Sequence, residues 1–157
     1  MADENMLIQA QTVFDTFCQV FDEKNWPYKK DEKELVITSG ARGDDLPMDI
    51  MVEVEPKRQL VFVVSHIPFD IPEEKRLDFA IAVSFVNNKL SDGCFDYDIV
   101  SGHILFRMAN SFIDSQLNKD VFEYMLYYTC VAVDSYNDKL MMLSKGHMSL
   151  EQFLSAE

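Results

Sequence analysis

Residues 48–55 alternate with a period of two: Met48, Ile50, Val52 and Val54 interleave with Asp49, Met51, Glu53 and Glu55. An extended chain sends successive side chains to opposite faces, so this stretch buries one face and wets the other. The turn Glu55-Pro56-Lys57-Arg58 follows, and then Gln59 to Ser65, a second strand apolar on both sides. Two strands joined so tightly run antiparallel, and the doubly apolar one belongs inside the sheet. A short β-branched stretch, Glu34 to Ser39, precedes them across the loop Gly40-Ala41-Arg42-Gly43-Asp44-Asp45. Further on, Cys94 to Ile99 and His103 to Met108 alternate again, with a reversal at Ser101-Gly102. Five strands are therefore expected, joined mostly by turns too short for parallel crossovers.

Helices fill the gaps. Over residues 6–24, Leu7, Ala10, Val13, Phe14, Phe17, Cys18, Val20 and Phe21 share one arc, the single stripe of a helix lying on a core. Trp26-Pro27 ends it, because the residue before a proline disfavours the helical region. A second helix is expected to open at Asp70-Ile71-Pro72-Glu73-Glu74, with Asp70 as its cap, and to run to about Leu90. A third starts near Asp120, where Asp120-x-x-Glu123 has capping-box spacing, and stops at Lys145-Gly146. At about 1.5 Å per residue it is ~36 Å long and must lie across the whole sheet. Ser149 to Leu154 forms a short terminal helix. The order α-β-β-β-α-β-β-α predicts a two-layer α+β fold with a mainly antiparallel five-stranded sheet. No linker, repeat or low-complexity tract divides residues 1–157, which are expected to form one domain.

The second helix is apolar on two sides. Leu77, Ile81 and Phe85 fall on one arc with Ser84 and Asn88, while Phe79, Val83, Val86 and Leu90 fall on an arc near the opposite side. A helix resting on one sheet needs one buried face. Either its own domain covers both faces, or one packs on the sheet and the other on a second copy of the chain. A twofold contact needs only one self-complementary patch. Phe79, Val83, Val86 and Leu90 are the candidate dimer-interface residues.

Composition narrows the chemistry. With 27 acidic against 14 basic residues, the formal net charge is −13. Such a surface repels phosphate backbones and anionic headgroups, so neither nucleic acid nor a membrane is an expected partner. Cys18, Cys94 and Cys130 are odd in number and far apart, consistent with reduced thiols in a cytoplasmic setting, and Met1-Ala2-Asp3-Glu4-Asn5 lacks the basic start of a signal peptide. His66, His103 and His147 are dispersed, and no metal, phosphate-loop or nucleophile motif occurs. No cofactor, metal or catalytic residue is assigned. Apolar side chains on otherwise polar faces are the better lead: Met51 on its strand, and Tyr124 and Tyr127 off the core arc of the last helix.

From about residue 46 to 154 the chain resembles the YbjN-domain family, described as bacterial sensory transduction regulators. Ile71-Pro72-Glu73-Glu74-Lys75-Arg76 and Asn87-Asn88-Lys89-Leu90 match at the ends of the second helix. Gly93-Cys94-Phe95-Asp96-Tyr97-Asp98, Ser101-Gly102 and Phe106-Arg107 match in the hairpin. Val133-Asp134-Ser135-Tyr136, Lys145-Gly146 and Ser149-Leu150-Glu151-Gln152-Phe153 close the ordered set. Tyr136-Asn137-Asp138 stands where the family often has tyrosine-proline-glycine, so the last helix is expected to continue unbroken. The resemblance implies a type III secretion chaperone-like fold, met in small acidic homodimers that hold partner segments without catalysis. The expected function is a non-enzymatic regulatory or chaperone-like protein-binding module acting as a homodimer on an unidentified protein partner. The alternative is a small-molecule sensor with a pocket between the sheet and the last helix, lined by Tyr97, Phe106, Arg107 and Tyr128.

Overall fold

Asp3 accepts the amide of Met6 and so opens α1 (Glu4–Glu23), whose apolar stripe from Ala10 to Phe21 is buried. The computed structural model describes residues 3–115 and 117–156. After α1 come four strands, β1 (Tyr28–Asp31), β2 (Val36–Arg42), β3 (Pro47–Glu55) and β4 (Leu60–His66). A 3-10 turn at Glu73–Lys75 leads into α2 (Arg76–Asn87), followed by β5 (Cys94–Asp98) and β6 (His103–Ser111). Helices α3 (Lys119–Ser144) and α4 (Leu150–Ser155) complete the order.

The strands form one sheet in the order β1-β2-β3-β4-β6-β5, antiparallel at every junction. It has six strands where five were expected. The additional one, Tyr-Lys-Lys-Asp at 28–31, is short, mostly exposed and without alternation, so backbone pairing to β2 defines it and no side-chain pattern announces it. β4 is central and buried through Ser65, as its doubly apolar sequence requires.

One face of the sheet carries Ile37, Ile50, Val52, Val54, Val61, Val63, Ile104, Phe106 and Phe95, all buried. Helices α1 and α3 lie on that face, with Phe17 stacked on Phe122 at 4.4 Å between ring centroids. The cap of α3 is Asn118, which accepts the Val121 amide, in place of the Asp120 spacing. The helix then runs unbroken past Asn137 to Ser144, and Gly146 follows with φ +74°. Ser149 and Gln152 form a reciprocal capping box on α4.

The entry to α2 also differs from expectation. Asp70 does not cap it; the Ile71 amide instead donates to the Gly102 carbonyl at 3.0 Å, and the helix starts at Arg76 without a side-chain cap. Arg76 replaces that cap as an anchor. Its guanidinium donates to the carbonyls of Ile71, Val100 and Ser101, tying the β5–β6 turn to the helix start. Gly102 sits inside this clamp at φ +80°, where a Cβ would lie 2.5 Å from the Ile71 carbonyl oxygen. A side chain there meets both a forbidden conformation and a backbone clash. Gly102→Ala should therefore lower the stability by about 1–3 kcal/mol, read as a shifted urea midpoint with unchanged m.

Candidate protein-interaction site

Helix α2 turns Phe79, Val83 and Val86 into the protein's own core, with Phe79 5.0 Å from the Tyr97 ring between centroids. Leu90 packs on the same core. Of the four residues that the sequence offers as an interface, Phe79, Val83 and Val86 are buried within the single chain, where β5 and α3 pack against α2, and Leu90 is half-buried. The opposite arc is left over. Leu77 is 69% exposed and Ile81 45%, one turn apart on one stripe, and Phe85 continues it half-buried. Leu154 of α4 comes alongside, so Ala80, Ile81, Ser84, Phe85 and Leu154 line a shallow groove. The Lys89 ammonium lies 4.5 Å from the Phe85 ring centroid and borders that end of the stripe.

Asn87 holds α2 in this position. Its side-chain amide donates to the Phe95 carbonyl at 2.9 Å and accepts the Phe95 amide at 2.8 Å. β5 is an edge strand, and these two groups face away from β6. Asn87 thus occupies the edge as a neighbouring strand would. In the sequence Asn87 stands out only as part of a motif; its signal is an asparagine at the end of an apolar helix, shortly before a strand. The opposite edge, β1, carries no such clip among the described residues.

The outer surface of α3 carries a second apolar stripe. Tyr124, Tyr127 (52% exposed) and Val131 (62%) follow one another at spacings of three and four. Tyr124 and Tyr127 are thus where the sequence put them. Glu123 pairs with Lys24 at 2.9 Å, and the same ammonium stands 5.7 Å from the Tyr127 ring centroid, so α1 steadies this surface. Tyr128 has a different task. Its hydroxyl accepts the amides of Ser91 and Asp92 at 2.9 and 3.1 Å, closing the turn before β5.

The remaining candidates lie on opposite sides of the sheet. Met51, Val64, Arg107 and Cys94 form one cross-strand row on the face away from α1 and α3. Phe106 points the other way and is fully buried against Phe95 and Tyr128. Tyr97, Phe106, Tyr128 and Arg107 therefore cannot line one pocket, because adjacent strand residues face opposite ways. On the open face Arg107 binds Asp96 at 2.5 Å, and the Cys94 thiol donates to the same carboxylate at 3.3 Å. Partial burial raises the Asp96 pKa, but the Arg107 and Cys94 hydrogen bonds outweigh it and hold the carboxyl below its ordinary value. Burial, reinforced by that carboxylate, pushes the Cys94 thiol up, so it is not an activated nucleophile.

No protein-family model matches this chain, and no curated protein matches its sequence. Solved structures do. YbjN from E. coli superposes with a TM-score of 0.57 at 10% identity, covering 80% of this chain and 92% of the other. A chain of the ExsC–ExsE complex gives 0.55 at 13% identity, covering 82% and 93%. A chain of the HopA1–SchA chaperone–effector complex gives 0.56 at 12% identity, covering 87% and 98%. The fold is thus the expected α+β chaperone-like one, shared with YbjN and with chaperone–effector structures.

Two measurements probe this geometry. The lowered Asp96 pKa means that its pairing stabilises the fold above the ordinary carboxylate range and is lost as pH falls through the depressed value. Arg107→Met should move the Asp96 carboxyl titration upward, seen by NMR, at a cost of only about 0.2–1 kcal/mol because the pair is solvated. Asn87→Ala should cost about 1–3 kcal/mol in chemical denaturation, since it strands two backbone groups of Phe95.

Proposed function

We propose that this protein is a non-enzymatic, chaperone-like protein-binding module that works as a cytoplasmic homodimer. The observation that carries the pairing is the α2 stripe of Leu77, Ile81 and Phe85, continued by Leu154. Covering each such side chain contributes roughly 1.5–3 kcal/mol before the costs of association. The stripe is straight and uninterrupted by charge, and a twofold axis across it would bring identical residues together. This moves the proposed interface to the face opposite Phe79, Val83, Val86 and Leu90.

The same surfaces favour protein partners over small ligands. Tyr124, Tyr127 and Val131 offer a rigid aromatic ridge, a residue type that anchors protein contacts at low entropic cost. Met51, half-buried on the other face of the sheet, offers an adaptable contact. Strand addition, if the partner binds that way, falls to β1, because Asn87 occupies the other edge. The aromatic side chains between sheet and α3 pack on one another, which disfavours the sensor alternative.

Light scattering at micromolar concentration should give about 36 kDa, twice the 18.2 kDa of one chain, as a twofold pair requires. Ile81→Asp should halve that mass while leaving the circular dichroism spectrum intact. Val83→Asp should instead unfold the chain, because Val83 is buried in its own core. A wild-type mass of one chain would refute the pairing.

A further inference from the structure

The histidines that look dispersed in sequence meet in the fold. His66 ends β4 and pairs with Leu105, while His103 opens β6 two residues earlier. Residues two apart on a strand share a face, so the two imidazoles are diagonal neighbours across the β4–β6 ladder. Their rings are 5.4 Å apart between centroids, and Nδ1 of His66 stands 3.1 Å from Nε2 of His103. With metal–nitrogen bonds of about 2.0–2.1 Å, a separation of 3.1 Å corresponds to an angle of roughly 100° at a shared ion. That lies between square-planar and tetrahedral values.

We propose that His66 and His103 form a bidentate site for a borderline divalent transition-metal ion, such as Zn2+, Ni2+ or Cu2+. Neutral imidazole is the donor these ions favour, whereas Mg2+ and Ca2+ require oxygen. A second observation supports the assignment. The other nitrogen of His103, Nδ1, lies 3.7 Å from the Asp70 carboxylate. At that distance the carboxylate is not a hydrogen-bond partner of the ring, but its charge favours a cation held by the pair. Asp98, the cross-strand partner of His103, adds negative potential but not a ligand, since its oxygens already accept the Val100 amide and the Ser101 hydroxyl. Among the described residues no group of three or more side chains of metal-ligating type is assembled, so water fills the ion's outward positions.

Calorimetric titration of the full chain with ZnCl2 and with CuCl2 at pH 7.5, in a non-chelating buffer, tests the site. The expected result is one ion per chain, with Cu2+ bound more tightly than Zn2+. His66→Ala and His103→Ala should each weaken it at least tenfold, and His147→Ala not at all. In proton NMR, the ring resonances of His66 and His103 should move with the ion while that of His147 stays. No binding, or binding that survives both histidine substitutions, would overturn the proposal; the first outcome leaves the pair as a hydrogen bond only, and the second puts the ion on surface carboxylates.

Discussion

The amide of Asn87, holding both outward-facing backbone groups of Phe95, governs what the rest of α2 can do. It pins the helix beside the last strand and so fixes which arc faces inward. Phe79, Val83 and Val86 are then committed to the core, and Leu77 and Ile81 are committed to the outside. Arg76 secures the other end of the same helix through three carbonyls around the β5–β6 turn. A helix held at both ends by hydrogen bonds cannot roll to hide its second apolar face. That face is exposed because of the way the helix is anchored, and contiguous exposed apolar surface marks an interaction site more often than isolated side chains do.

The sheet distributes the remaining surfaces. Its inner face is spent on α1 and α3, while its outer face carries the half-buried Met51 and the Arg107–Asp96 pair, with Val64 and Phe62 buried beside them. Its edges are unequal, one occupied by Asn87 and the other ending in the short, charged β1. Charge on an edge strand discourages indiscriminate pairing without forbidding a matched partner strand. With a net charge of −13, a complementary partner segment would be basic or apolar rather than acidic.

Much of this was legible in the sequence. Period-two alternation located β3, β4 and the β5–β6 hairpin, and one-sided stripes located α1, because side-chain burial writes those patterns. β1 was not legible, since Tyr28 and the three charged residues after it show no alternation. The two apolar arcs of α2 were visible, but not which one faces the core. That choice is made by Asn87 and Arg76, whose bonds reach groups 8 and up to 25 residues away. Arg107 and Phe106 were grouped in one pocket although neighbouring strand positions face opposite ways. Tyr124 and Tyr127 were placed outward correctly because helical periodicity alone decides them. The meeting of His66 and His103 was invisible, for it depends on the β4–β6 register across 37 residues.

The central claim is that the outer face of α2 is covered in the working protein. Methyl NMR with a soluble paramagnetic probe tests it directly, because Ile113, 57% exposed and away from α2, serves as an internal standard. The account predicts that the Ile81 methyl is broadened far less than that of Ile113, despite its 45% exposure in the single chain. Equal broadening of the two methyls would contradict it.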